Sequence, residues 1–171
     1  MEYWQTLRGD RLIPYRAEIH PAPLLPYLKH VGLFEVRSPD LTYCRLAGTI
    51  FRETLGFELT GRNVVHIYAP SLHHAAGYRF FMMVTRPCAA TFELPLTLES
   101  GAEHAYEILV LPVAPDDREA PPMLLVGIAP INPVSWHNTA ILPQLRASPT
   151  FRFVDIGAGI PASSLPPKGI Q

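Results

Sequence analysis

Residues 92–99 alternate strictly: Phe92, Leu94, Leu96 and Leu98 against Glu93, Pro95, Thr97 and Glu99. A period of two over that length predicts a strand with one apolar face. Pro95 falls on the polar set and predicts an edge strand or a bulge, because proline offers no ladder donor. Ser100-Gly101-Ala102 is turn chemistry, and His104 to Val113 returns as the partner strand. Beyond a polar, proline-rich loop from Ala114 to Pro122, Met123 to Ile131 is almost entirely apolar and reads as a central strand. Between Ser71 and Arg86 the period changes. Leu72, Ala76, Phe80, Met83 and Val84 recur at three- and four-residue spacings, which puts them on one face of a helix. Ser71 is placed to cap that helix and Pro87 to stop it.

The remaining elements are shorter. Val31 to Arg37 and Leu41 to Ala47 read as a hairpin around Ser38-Pro39-Asp40. Ile50 to Leu55 is a short helix with Thr49 as its N-cap and Gly56 as its stop. Leu59 to Arg62 forms a turn into a brief segment, Asn63 to Tyr68. Glu2 to Arg8 predicts an amphipathic helix presenting Trp4 and Leu7, ended by Gly9, and Leu24, Leu25 and Leu28 predict a helical turn docked on the core. Ile141 to Leu145 reads as helical, Phe151 to Ile156 as a short additional strand, and Pro161 to Gln171 as an extended or disordered tail. Only one helix is long enough for a βαβ crossover, so the pattern predicts an α+β domain: a five-stranded antiparallel sheet with helices on one face. N- and C-terminal extensions, residues 1–30 and 132–171, flank a core over 31–131.

Composition narrows the function classes. A chain of 171 residues, 48% apolar and 17% charged, suits one domain with one core. Its 14 basic and 15 acidic residues give a net charge of −1, with the basic residues scattered singly. Neither nucleic acid nor an anionic membrane is therefore an expected partner. No signal peptide or membrane-length apolar run is evident, and the expected location is the cytoplasm. Cys44 and Cys88 fall in or beside strands and read as buried free thiols.

The candidate chemistry is thin. His73 and His74 are adjacent, so on a helix they point about 100° apart. Pro70 separates both from His66, and no Cys-x-x-Cys spacing exists, so no metal site is expected. The sequence has no Gly-x-Ser-x-Gly elbow, Walker A loop or Gly-x-Gly-x-x-Gly turn. Glu53, Glu58 and Glu93 could serve as general acids only if buried, and exposure is the default for glutamate. No catalytic residue is expected. Gly48 and Gly61 end short segments where a left-handed or tight backbone is expected.

One set of stretches is shared with a known family. Trp4-Gln5-Thr6-Leu7-Arg8-Gly9 and Leu12-Ile13-Pro14-Tyr15 open it. Tyr43-Cys44-Arg45-Leu46-Ala47-Gly48-Thr49 and Gly56-Phe57-Glu58-Leu59-Thr60-Gly61-Arg62 follow, then Tyr106-Glu107-Ile108-Leu109-Val110-Leu111-Pro112-Val113 and Met123-Leu124-Leu125-Val126-Gly127. Over residues 2–131 the chain resembles a small bacterial PAS-domain family whose members lack an assigned activity. The resemblance implies a sensory or signalling module with a small-molecule pocket between sheet and helices, acting through a homodimer or a protein partner.

The candidate pocket residues are Phe80, Met83 and Val84 on the helix, Phe92, Leu94 and Leu96 on the alternating strand, and Leu125 and Gly127 on the central one. In the family reading the loop around Gly61 closes one side of the cavity, where Arg62 meets an anionic ligand or, as favoured here, a carboxylate such as Glu58. No cofactor is expected. Haem on His66, His73 or His74, or a flavin, is the remaining alternative, although the chain lacks the flavin-photosensor stretch. Two other functions stay open: a ligand-free homodimerisation or protein-interaction module, and a small cone-shaped isomerase- or hydratase-type enzyme, which would need a buried carboxylate or histidine inside the pocket.

Overall fold

The computed structural model describes residues 1–97, 103–132 and 145–166. Among them, six strands form one antiparallel sheet: β1 (Val31–Ser38), β2 (Leu41–Ala47), β3 (Ala89–Thr97), β4 (Glu103–Val113), β5 (Met123–Pro130) and β6 (Arg152–Val154). Their order is β2-β1-β5-β4-β3-β6. The apolar run of β5 thus lies between β1 and β4, covered on both edges, as a run without polar alternation requires.

The predicted additional strand in Phe151 to Ile156 forms as β6 and brings the sheet to six, its three residues pairing with Ala89, Ala90 and Thr91. That pairing stops short of Pro95, so the far part of β3 remains an edge, where a missing donor costs least. Glu103 to Val113 pairs along most of its length with both β3 and β5.

Three α-helices and several 3₁₀ turns accompany the sheet among the described residues. α1 (Glu2–Arg8) and α2 (Thr49–Leu55) have the predicted positions, with Gly48 rather than Thr49 in the cap position of α2. α3 (His73–Thr85) is preceded by a 3₁₀ turn, Pro70–Leu72, so Ser71 lies inside that turn instead of capping the helix. α3 buries Ala76, Gly77, Phe80 and Met83 at helical spacing. Gly77 is where the helix crosses the β1–β2 turn: a Cβ there would stand 1.6 Å from the Pro39 carbonyl oxygen. Gly48 has an ordinary φ of −65°, and its need is space, since a Cβ would meet the Leu28 carbonyl oxygen at 2.3 Å. Gly61, by contrast, is left-handed at φ +85°.

The helices do not all share one face. α2 and α3 cover the inner face of the sheet, which carries the larger core with Phe34, Phe92, Val110, Leu124 and Val126. α1 lies on the outer face, where Trp4 joins Ala89, Leu111, Val113 and Ile156 in a second cluster. The Trp4 indole Nε1 donates to the Pro112 carbonyl at 3.0 Å, so its polar edge is satisfied while its body is buried. Arg8 stacks over that ring at 5.5 Å and donates from Nη1 to the Ile156 carbonyl at 2.9 Å, tying the N-terminal helix to the C-terminal segment. The predicted docking of Leu24, Leu25 and Leu28 is looser than expected. They lie in a 3₁₀ segment, Ala22–His30, with no buried residue, and Leu25 and Tyr27 are more than 60% exposed.

Candidate functional site

An apolar hollow of about 40 Å³ lies between the sheet and the helices. Its floor is the inner face of β3, β4 and β5: Phe92, Leu94, Ile108, Val110, Val126 and Ile128. Its roof comes from Phe51 and Leu55 of α2, Phe80 of α3, and the loop residues Leu59, Val64, Ile67 and Tyr68. Leu145 closes one end, donating its N–H to the Ile67 carbonyl at 2.7 Å and accepting from the Ala69 N–H at 3.0 Å. At ~24 cal/mol per Å³, a void of this size costs about 1 kcal/mol relative to a filled core.

A second, smaller hollow of about 20 Å³ adjoins it. Tyr68, Phe80, Phe92 and Leu94 line both, while Arg79, Arg146, Ser148 and Phe151 line only the second. The first hollow is thus lined by apolar side chains and the Tyr68 ring, and its neighbour also by two arginines. The Arg79 guanidinium lies over the Phe151 ring at 4.3 Å, and its Nε donates to the Ser164 carbonyl at 3.0 Å. Desolvation lowers the pKa of Arg79 and pushes the Tyr68 phenol up to about 12. The tail expected to be extended or disordered is docked here as far as it is described, with Pro161 buried and Ser164 held by Arg79.

The candidate residues divide. Phe80, Phe92 and Leu94 line the hollow. Met83 and Leu96 are buried in the same core but do not reach it, and Val84 packs at its margin. Leu125 and Gly127 lie on the opposite face of the sheet, and their neighbours Val126 and Ile128 line the hollow instead. In an all-apolar strand nothing in the sequence marks which parity points inward, so this assignment slipped by one residue. Arg62 is exposed and does not pair with Glu58; its guanidinium lies over Phe57 at 5.0 Å, while Glu58 accepts the Thr60 N–H.

His66 and His73 stack on each other with ring centroids 5.1 Å apart, and His73 Nε2 lies 3.0 Å from the Tyr68 carbonyl oxygen. Neither they nor the exposed His74 lines the hollow, and its volume does not admit a macrocycle, so these residues do not fit haem. Among the described residues that line the hollow, Tyr68 is the one that titrates. Glu53, Glu58 and Glu93 are exposed, and no carboxylate or histidine is among the described residues that line the hollow, where the enzyme reading needs one. Cys44 and Cys88 are free and buried, with burial pushing their thiols up to about 12 and about 11. Leu145 and Tyr68, which sequence reasoning missed, are joined by a parallel bridge; Ile141 to Gln144 of the predicted helix lie outside the described residues.

The outer face differs. Two adjoining hollows of about 540 and 690 Å³ lie open between the 3₁₀ segment, Met1 and the strands, sharing Tyr27, Val31, Leu109 and Gly127. A Cβ on Gly127 would touch nothing within 4 Å.

The strand order, the helices of the inner face and the hollow between them define a PAS-like α+β domain. The sequence model described as PAS domain matches residues 1–128, and the chain belongs to that family. Membership makes it a sensory or signalling module in the general sense. None of the curated proteins matches the chain. No helix among the described residues is long and apolar enough to cross a membrane.

Proposed function

We propose that this protein is a cytoplasmic PAS-type sensor that takes a small apolar or amphipathic molecule between sheet and helices and signals through a homodimer or a protein partner. The observation that carries this reading is the apolar hollow at the centre of the inner face. It is walled on one side by a regular sheet and on the other by short helices and loops. Occupancy would shift the roof more readily than the floor, because the roof is held by fewer backbone ladders. Native mass spectrometry of freshly purified protein, with an absorption spectrum of the same sample, tests the reading. Retained extra mass supports it. A bare chain that also fails to take up any apolar probe on screening contradicts it.

A ligand-free interaction module is the second reading, favoured by the open outer face and the exposed Leu25 and Tyr27 beside it. It predicts a stable dimer or hetero-complex with no bound small molecule.

A further inference from the structure

We infer that the ligand of the inner cavity is an amphiphile with a carboxylate head, its short apolar chain in the cavity and its head at Arg79 and Arg146. The inference rests on the sensor reading above and specifies its ligand class. The inner hollow is lined by apolar side chains and the Tyr68 ring, and so selects a chain without polar groups. The adjoining hollow is where the polarity changes, with Arg79, Arg146 and the backbone around Ser148 about it. Arg79 commits only its Nε to a hydrogen bond among the described residues, leaving the outer guanidinium N–H groups to meet two oxygens in a fork. No salt bridge among the described residues engages either arginine. Phe151 holds the Arg79 guanidinium from one side, which fixes its plane. A carboxylate presents two coplanar oxygens to such a planar fork.

Arg146, Ser148 and Phe151 all lie beyond the family match, which ends at residue 128. The head-group end thus joins Arg79 of α3, inside the family match, to residues of the C-terminal extension. An apolar chain longer than the resting hollow enters by displacing Leu145 from its two hydrogen bonds, to the Ile67 carbonyl and from the Ala69 N–H.

The test is an NMR titration of the full labelled chain with octanoate and, separately, with 1-octanol, which has the same chain and no charge. Octanoate is expected to bind at least ten-fold more tightly than octanol, shifting the methyls of Val110, Val126 and Ile128. Arg79→Met and Arg146→Met should each weaken octanoate several-fold and leave octanol unchanged. Arg146 is exposed, so that variant keeps the test valid if Arg79→Met fails to fold. Equal affinity for the two probes, or an octanoate preference surviving both substitutions together, overturns the carboxylate assignment while the sensor reading stands. Failure of both probes to shift the cavity methyls overturns both.

Discussion

The two faces of the sheet are built from the same strands and have opposite fates. Val126 points inward into the larger core and lines its apolar hollow; Gly127, the next residue, points outward into open space. On the inner face, α2, α3 and the loop residues Leu59, Val64, Ile67 and Tyr68 roof the hollow. On the outer face a single short helix anchors one end through Trp4, and the rest lies open beside the exposed Tyr27. Closure makes a place where a small apolar molecule can be held away from water, whereas openness makes a place for a larger partner. On the proposed reading, this contrast assigns ligand recognition to one face of the sheet and output to the other.

The largest expected effect is at the outer anchor. Trp4→Ala should lower unfolding stability by about 4 kcal/mol, since it empties the second cluster and leaves the Pro112 carbonyl without its donor. Denaturant unfolding measures it, and a loss below about 1 kcal/mol would mean that α1 is not integral to the domain. Gly77→Ala on the inner side should cost about 3 kcal/mol, because α3 must retreat from the Pro39 carbonyl. If it is neutral, the helix does not cross the hairpin turn as closely as described.

Neighbouring substitutions sharpen the comparison. Val126→Ile puts one methylene toward the hollow and should stabilise by up to about 0.8 kcal/mol while weakening any cavity ligand. Gly127→Val should stabilise by about 0.5–1 kcal/mol through strand propensity alone, with no effect on that ligand. Equal effects on ligand affinity would erase the distinction between the faces. The smallest effect concerns pH. Asp155 accepts the Gly157 and Gly159 N–H groups at 2.7 and 2.9 Å, which holds its pKa below the usual carboxylate value. Its contribution is complete above the unfolded-state pKa and lost as pH falls through the lower folded one. Asp155→Asn should therefore flatten the acid limb of a stability-versus-pH curve, and an unchanged limb would refute the assignment.

Much of this was legible in the sequence because alternation and turn chemistry are local. Phe92, Leu94 and Leu96 fix their own face through the charged and polar residues between them. Met123 to Ile131 has no such marks, so the parity of Leu125 and Gly127 had to come from tertiary pairing, and the pocket residues there were displaced by one. The role of Gly77 was equally hidden, because its partner is a carbonyl 38 positions away in the chain. Arg79 reads as an isolated helical charge until the C-terminal segment is seen to return across α3. The placement of Trp4 needed the sheet to be known first.

The measurement closest to the central claim is methyl NMR of the protein under xenon pressure, since xenon enters dry apolar cavities without needing a polar contact. The account predicts saturable shifts of the Val64, Val110, Val126 and Ile128 methyls, with Leu109, Leu111, Leu125 and Val154 unmoved. Shifts confined to the outer-face set, with the inner set silent, would contradict the inner face as the ligand face.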